Sequence, residues 1–285
     1  MRRILLPKIL VTGGNGYLGR SISKMLNSSG HFEVMAISRT NVDLMNANDV
    51  AIFLKNNGPF NVVIHTAIIG GKRTDIDSPQ TTYDNLVMFT NISNCNMYFN
   101  SLINIDSGAS YDRRNDIYMF HESELLKSYP IDYYGLSKNL IAKTCLLNKN
   151  YYNLRIFNVF DPDELDTRFL KTIYNNYINK EEIIVNDCFF DFFSMEDLFT
   201  IVQYIILDFC KYNDLNCSYL KKKTLSQIAK YIATNILPGL NYKVSNPETL
   251  NKSYCGNGSY LNSLPLHFVG LEQGIKNYYK KLIDG

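Results

Sequence analysis

The sequence of 285 residues contains no tryptophan and only four histidines. Its formal net charge at neutral pH is only +2. A nearly neutral chain gives no reason to expect nucleic acid or a membrane surface as a partner. Six cysteines are present without a C-x-x-C pair, so free thiols are expected rather than a zinc site or a redox pair. Neither a bilayer-spanning apolar run nor a signal-peptide pattern is found, so we expect a cytoplasmic protein.

What the sequence does contain is an alternation of apolar strands and helical patterns. Apolar residues make up 46 % and charged residues 20 %, as in globular proteins with ample core. Because buried strands alternate with helices, we predict an α/β fold, a Rossmann-type doubly wound parallel sheet. A larger N-terminal domain is assigned to residues 1–160 and a smaller C-terminal α/β region to residues 161–285, and the chain may cross between the two. The first predicted strands cover residues 8–11, 31–37, 61–65 and 102–105.

A glycine-rich turn follows the first predicted strand and leads into a helix that is expected to begin near Tyr17. Gly13, Gly16 and Gly19 suit a turn of unusual dihedral angles, a backbone that approaches a pyrophosphate, and close packing of helix on strand. The free N–H groups at the helix N-terminus attract phosphates. This strand–turn–helix arrangement predicts that the domain at residues 1–160 binds a dinucleotide. The glycine spacing alone is weak evidence, because glycine-rich turns are common, and a merely structural turn is the alternative.

The end of the second predicted strand indicates which dinucleotide is bound. A carboxylate here would accept hydrogen bonds from a ribose 2′-hydroxyl, whereas an arginine would pair with a 2′-phosphate. The chain has no acid at positions 38 and 39 and carries Arg39. NADPH is therefore favoured over NADH, the alternative being that Arg39 is simply a solvated surface residue.

Tyr134 and Lys138 lie four residues apart and share one face of a predicted helix. Reduction of a carbonyl needs an acid near the substrate, and a tyrosine with its usual pKa of about 10 is a poor one. A lysine one turn away favours the phenolate and so lowers the pKa of the tyrosine. Ser107, at the end of the fourth predicted strand, could orient the carbonyl. Together with the glycine turn, these residues predict a reductase site.

With these motifs the chain resembles the extended short-chain dehydrogenase/reductase family of nucleotide-sugar epimerases, dehydratases and reductases. The resemblance runs over most of the chain, and segments 39–46, 69–71 and 78–86 are most similar to NADPH-dependent reductases of nucleotide-linked 4-keto-6-deoxy sugars. Those reductases include the GDP-fucose synthases and the dTDP-4-dehydrorhamnose reductases. The matching pieces are residues 12–19, 43–44, 63–67, Ser107 with Tyr111, Tyr134 with Lys138, 155–159 and 191–197.

The resemblance implies a role for each matching position. Ser107, Tyr134 and Lys138 would be catalytic, with Tyr134 as the proton donor, and no metal is expected. The implied cofactor-binding residues are Gly13, Asn15, Gly16, Tyr17, Leu18, Gly19, Arg39, Asp43, Leu44, Thr66, Ala67, Ile68, Asn85, Ile105, Tyr134, Lys138 and Phe157. The implied substrate-binding residues are Ser107, Gly108, Ala109, Asn158, Arg168 and Phe190.

Three departures from the fucose-synthase pattern refine the expected activity. Ala109 stands where those enzymes have a cysteine, and no histidine lies between residues 166 and 174, so the thiol and imidazole used for epimerisation are missing. Asp161 stands where the family usually has a glycine before Pro162, and Phe190 replaces an arginine that commonly contacts the nucleotide. Arg168 is either a phosphate ligand or a solvated residue.

We therefore expect an NADPH-dependent reductase of a nucleoside-diphosphate 4-keto sugar, without epimerisation, in surface-polysaccharide synthesis. The alternatives are an NAD-dependent 4-epimerase and a non-catalytic subunit of the same fold. A homodimer through the helices at 83–92 and 134–146 is also expected.

The remaining polar segments are assigned no function. Residues 112–131 and 256–263 are predicted to be loops, and the lysine run at 221–223 is predicted to be a solvated face. His65 is expected to be structural, because a histidine that ends a core strand usually is. Four acids near the middle of the chain match no metal-binding spacing. They are Asp187, Asp191, Glu196 and Asp197.

Overall fold

The computed structural model describes residues 6–71, 76–207, 210–245 and 252–284. Its central feature is a six-stranded sheet in the order β10-β6-β4-β3-β1-β2, where the strands are numbered along the chain. The sheet strands are β1 (Lys8–Thr12), β2 (Glu33–Ile37), β3 (Phe60–His65), β4 (Phe99–Ser107), β6 (Tyr151–Ile156) and β10 (Asp214–Cys217). β1 pairs in parallel with β2 and β3, and β3 pairs in parallel with β4. The predicted doubly wound parallel fold is confirmed.

Helices and short strands complete the chain. The helices are α1 (Tyr17–Ser29), α2 (Ala47–Asn57), α3 (Pro79–Ser93), α4 (Tyr133–Cys145), α5 (Phe169–Asn179), α6 (Met195–Ile206), α7 (Leu225–Asn235), α8 (Ser259–Asn262) and α9 (Leu271–Asp284). The short strands are β5 (Ile117–Phe120), β7 (Val159–Phe160), β8 (Ile183–Val185), β9 (Phe193–Ser194), β11 (Tyr242–Val244) and β12 (Tyr254–Gly256). α1 begins at Tyr17, as the glycine turn predicts.

The chain forms two compact units and crosses between them more than once. The first unit comprises residues 1–112, 123–155 and 202–215, and the second comprises 113–122, 156–201 and 216–285. The sequence-based division at residue 160 is a single cut. In the structure, residues 113–122 belong to the second unit and residues 202–215 return to the first.

The core of the first unit lies between the sheet and its helices. Leu10, Val63 and Leu102 sit side by side on three neighbouring strands, because β1 pairs with β3 and β3 with β4 in that register. All three belong to one buried cluster with Phe89 of α3 and Ile141 of α4. This shared sheet face continues toward the carboxyl ends of the strands, where the polar site residues lie.

The second unit contains three two-stranded sheets and the helices around them. β8 pairs with β11, β5 with β12, and β7 with β9, all in parallel. Its buried cluster includes Ile173 of α5, Ile228 of α7 and Tyr279 of α9. β5, a 3-10 turn at Glu122–Lys127 and α8 lie in the segments predicted to be loops.

All six cysteines lie in the described part of the chain and are free thiols, as predicted. Within the same ranges, no group of three histidine, cysteine, aspartate or glutamate side chains is arranged to hold a metal ion. No helix among the described residues has both the length and the apolarity that crossing a membrane requires.

Candidate active site

The glycine turn forms a close-packed loop between β1 and α1. Gly13 has a φ of +69°, and a Cβ there would lie 2.8 Å from the backbone nitrogen of Ala67. A Cβ on Gly19 would meet the Gly13 carbonyl and the Thr66 hydroxyl, the latter at 2.7 Å. Gly16 precedes the helix without a side-chain cap, and it is exposed together with Asn15. Helix N–H groups therefore remain available to an anion, and no Cβ obstructs the turn.

A second loop, residues 66–71 after β3, is held against this turn. The Thr66 hydroxyl donates to the Thr12 carbonyl at 2.6 Å. Further along, the Asn85 side chain accepts from the Ile69 N–H at 2.8 Å and donates to the Ile69 carbonyl at 3.0 Å. Asn85 also donates to Ser137 of α4 at 3.1 Å. The predicted cofactor residues Thr66, Ala67 and Ile68 thus lie on a loop fixed from both sides.

Arg39 follows the end of β2 in a tight polar turn. The side chain of Arg39 is exposed, and the Ser38 N–H donates to Asn41 at 2.8 Å. Beyond the turn, the Asp43 carboxylate accepts from a backbone N–H at 3.0 Å, and Leu44 packs on the core of the first unit. Arg39 is therefore available to an anionic group at the end of this strand.

Ser107, Tyr134 and Lys138 all belong to the first unit, and Lys138 links α4 to the carboxyl end of β4. Ser107 ends the strand, and its hydroxyl accepts from the Ala109 N–H at 3.2 Å. Lys138 donates to the carbonyl of Ile105 at 2.7 Å, and its Nζ lies 6.0 Å from the centre of the Tyr134 ring. The structure therefore places Lys138 beside the Tyr134 ring and against the strand that ends at Ser107.

Two glycines let the backbone approach these residues closely. Gly71 has a φ of +81°, and a Cβ there would lie 2.6 Å from atoms of the Tyr134 ring. A Cβ on Gly135 would lie 2.7 Å from the carbonyl of Ala109. At the start of α4, the Asp132 carboxylate accepts from the Gly135 N–H at 2.7 Å and caps the helix. The Tyr134 ring and the turn after Ser107 are thus held by backbone packing.

Burial controls the ionisation of Lys138. The residue is only 5 % exposed, and desolvation lowers the pKa of its ammonium to about 8. The charge of Asp106 acts in the opposite direction and raises this pKa. A lysine that titrates near neutral pH beside a tyrosine is suited to proton-transfer chemistry.

A buried charged network lies next to the site, and the sequence interpretation assigned it no role. Arg155 is fully buried and its Nε lies 2.9 Å from Asp106, while its Nη2 lies 3.0 Å from Asp214. The guanidinium also donates to the hydroxyls of Ser110 at 2.8 Å and Tyr111 at 2.9 Å. The signal in the sequence was an arginine within an otherwise buried strand and an aspartate directly before the candidate catalytic serine.

His65 is a buried neutral residue. Its Nδ1 lies 3.0 Å from the Thr12 hydroxyl, and its ring packs edge-on against Phe89. Burial, assisted by the charge of Lys138, lowers its pKa to about 3. The imidazole therefore stays uncharged at neutral pH, in keeping with the structural role that was expected.

The predicted substrate residues of the second unit form a separate group. The exposed Arg168, at the start of α5, has its Nη1 3.5 Å from the side-chain oxygen of Asn158. The Phe190 ring packs at a tilt against the rings of Phe192 and Tyr254, with 5.4 Å between the ring centres in each pair. Asn158 and Arg168 therefore come together, whereas Phe190 fills an aromatic cluster.

The lysine run at 221–223 is not the solvated face that was predicted. Lys222 lies 2.9 Å and 3.0 Å from the two carboxylate oxygens of Asp191, and its side chain is only 6 % exposed. Ser218 hydrogen-bonds to both groups. Lys223 pairs with Glu272 at 2.9 Å. The prediction was wrong because both partner acids are distant in the sequence. Asp191 lies 31 residues before Lys222, and Glu272 follows Lys223 only after α7, so a local sequence pattern could not reveal either pair.

A model of a known protein family matches residues 9–216 of this chain, and its description is "NAD dependent epimerase/dehydratase family". Protein CapI of Staphylococcus aureus is 29 % identical over 204 residues, and the match covers 59 % of this chain and 60 % of that protein. GDP-L-fucose synthase of Azorhizobium caulinodans is 30 % identical over 175 residues, covering 56 % of this chain and 55 % of that enzyme. The matched stretches thus span less than two thirds of both relatives.

Among solved structures, GDP-mannoheptose C4 reductase from Campylobacter jejuni with NADP bound has a TM-score of 0.81 to this chain. The two sequences are 19 % identical, and the alignment covers 98 % of each chain. This likeness establishes the fold. The family match extends over most of the chain, and the chain therefore belongs to the NAD dependent epimerase/dehydratase family.

Proposed function

We propose that this member of the NAD dependent epimerase/dehydratase family is a reductase of a nucleoside-diphosphate 4-keto sugar. The observation that carries the proposal is the position of Lys138, which lies beside the Tyr134 ring and bonds to the strand that ends at Ser107, within the unit that holds the glycine turn. The names of two similar proteins, a GDP-L-fucose synthase and a GDP-mannoheptose C4 reductase, support the substrate class.

A nicotinamide dinucleotide fits the first unit. The turn from Gly13 to Gly19 leaves uncapped N–H groups for a pyrophosphate. A Cβ at either glycine would clash with neighbouring backbone atoms, so the turn requires glycine at both positions. Among nicotinamide cofactors we favour NADPH, because the exposed Arg39 stands at the end of β2 with no carboxylate at positions 38 and 39. A reduced nicotinamide supplies the hydride when it is bound.

The side chains of the site supply the proton. Tyr134 donates its phenolic proton to the carbonyl oxygen of the sugar. The Ser107 hydroxyl already accepts from the Ala109 N–H, so its own proton is available to orient the same carbonyl oxygen. The Lys138 ammonium lies one turn away and stabilises the phenolate that remains on Tyr134. The buried Ala109 offers no acid or base, so the thiol used for C3/C5 epimerisation is missing and we propose reduction without that epimerisation.

The second unit is proposed to hold the nucleotide end of the substrate. Arg168 is exposed and lies next to Asn158, so a guanidinium and an amide are available to the two phosphates. Phe190 offers an aromatic face rather than a charge. The six free thiols suit the reducing cytoplasm, where we place the protein and its role in synthesis of surface-polysaccharide sugars.

The chain is further proposed to form a homodimer through α3 and α4. These helices pack together in the first unit, where the Thr82 hydroxyl donates to the Tyr133 carbonyl at 2.7 Å. Their outer faces expose Tyr83 at 59 % and Leu140 at 39 %. Light scattering should give a mass twice the 32.8 kDa of one chain, and replacing Tyr83 and Leu140 by glutamate should halve it. A monomeric wild type would contradict this assembly.

The activity is tested by following NADPH consumption with GDP- and dTDP-linked 4-keto-6-deoxy sugars. Tyr134→Phe should lower kcat at least about 100-fold, because it removes the general acid. Tyr133→Phe is the matched control, since it removes the neighbouring phenol and should leave kcat unchanged. If no such sugar is turned over, or if both variants behave alike, the proposal is wrong. NAD⁺ released from the denatured protein would instead support a 4-epimerase.

A further inference from the structure

Asp106 and Lys138 face the same layer between the sheet and α4. Alternate residues of a strand share one face, so Asp106 and Asn104 follow Leu102, whose side chain packs with Ile141 of α4. Lys138 lies one turn before Ile141 and points its ammonium at the carbonyl of Ile105, the residue directly before Asp106. The lysine and the carboxylate are therefore buried in one polar layer.

The two carboxylate oxygens of Asp106 have different surroundings. Oδ2 accepts hydrogen bonds from Ser110 at 3.0 Å and from Asn153 at 3.1 Å, and it forms an ion pair with Nε of Arg155 at 2.9 Å. Oδ1 is buried and has no hydrogen-bond partner. Two donated hydrogen bonds and an adjacent guanidinium are what a charged carboxylate requires when it is buried. Arg155 thus fixes the carboxylate, and a buried acceptor remains.

We propose that Asp106 is a positioning residue that keeps Lys138 charged, and that Arg155 holds Asp106 in place for this role. The proposal rests on the reductase function, because the charge of Lys138 matters there through the acidity of Tyr134. Asp106 itself would touch neither substrate nor cofactor. A carboxylate and an ammonium in a layer that excludes water interact far more strongly than they would in water.

The other groups around Lys138 do not provide the compensating charge. His65 is neutral, because burial and Lys138 lower its pKa to about 3. Cys145, two turns further along α4, remains a thiol because burial and the charge of Asp106 raise its pKa well above the usual value. Tyr134 is itself the group that Lys138 tunes. Asp106 and Cys145 are the two groups that can raise the pKa of Lys138, and because Cys145 stays a neutral thiol, Asp106 is the anion that opposes desolvation of the ammonium.

The direct test is a titration of Lys138 by NMR on protein with ¹³C-labelled lysine, the signal being identified by its loss in Lys138→Arg. The wild-type midpoint should lie at about 8. Asp106→Asn should lower it by about one pH unit or more, because an opposing charge close by is worth that much. Asp214→Asn is the matched control: it removes the other carboxylate on Arg155 and should leave the midpoint nearly in place. Equal shifts in the two variants, or none in Asp106→Asn, would overturn the proposal.

A kinetic readout separates this proposal from the proposed function. With an active wild type, the alkaline limb of the pH profile of kcat should move to lower pH in Asp106→Asn by the shift seen in the NMR titration. If the wild type reduces no sugar, the reductase function fails, while the Lys138 titration still decides the role of Asp106.

If Asp106→Asn does not fold, the titration of Lys138 in the wild type tests the proposal. A midpoint well below about 7 would overturn it, because it would mean that no carboxylate supports the buried ammonium.

Discussion

Replacing Gly71 by alanine should disturb Tyr134 without touching a polar group of the site. Gly71 has a φ of +81°, and the new methyl group would lie 2.6 Å from the Tyr134 ring. Gly239 provides a matched control in the second unit, because its φ is +88° and nothing lies within 4 Å of a Cβ built there. Both alanines would carry the same backbone strain, and only one would press on the proton donor.

The expected magnitudes follow from this comparison. The positive φ costs each alanine about 1–2 kcal/mol of folding free energy. At Gly71 the overlap with the ring adds about 1–3 kcal/mol if it is not relieved. Relief requires the Tyr134 ring or the loop at 66–71 to move. A displacement of the proton donor by about 1 Å is enough to lower kcat roughly 100-fold.

The assay combines kcat for NADPH-dependent reduction with thermal unfolding of the same samples. Gly239→Ala should lose stability and keep kcat, whereas Gly71→Ala should lose kcat by at least about tenfold in addition to stability. If Gly71→Ala melts like Gly239→Ala and retains the wild-type kcat, the ring contact with Gly71 does not position Tyr134, and the reasoning is refuted.

Three further substitutions probe other parts of the chain. Arg39→Ala should raise KM for NADPH about tenfold or more and leave KM for NADH unchanged, since a charge-assisted hydrogen bond contributes about 1.5–3 kcal/mol; equal effects on both cofactors would contradict the role of Arg39. Lys222→Met leaves a buried carboxylate without its partner and should destabilise the fold by about 3–5 kcal/mol in denaturant unfolding, whereas Lys221→Met should change it by less than about 0.5 kcal/mol. Burial raises the pKa of Glu164 from 4.5 to about 7, so the folded state retains a proton that the unfolded chain loses and stability falls as pH rises between these values. Glu164→Gln keeps an acceptor for Tyr278 and should remove this decline, on the order of 3 kcal/mol by pH 8; parallel stability–pH curves for the two proteins would refute it.

Features that depend on neighbours along the chain could be predicted from the sequence. The spacing of Tyr134 and Lys138 fixes their common helical face, and Gly13 to Gly19 marks the start of α1. The apolar runs locate the central strands because strands covered on both faces need continuous apolar residues. The predicted strand at 102–105 was nevertheless too short, since β4 extends from Phe99 to Ser107 and includes buried polar residues.

Features that depend on distant contacts could not be predicted. β5 pairs with β12, and the backbone N–H of Ile117 donates to the carbonyl of Ser253, so neither short strand has a partner nearby in the sequence. The ion pair of Lys222 with Asp191 likewise forms only when the second unit folds. A charged residue in a short motif is easily taken for a solvated one until its partner is known, as Lys222 was.

The two hydrogen bonds between Asn85 and Ile69 imply that the loop after β3 is preorganised. The amide of Asn85 engages both the N–H and the carbonyl of Ile69, as a neighbouring strand would. A loop that is ordered before a ligand arrives loses little conformational entropy on binding, so more of the contact energy is retained as affinity. The Ile69 amide should then exchange with solvent as slowly as amides of the sheet, although it belongs to no helix or strand.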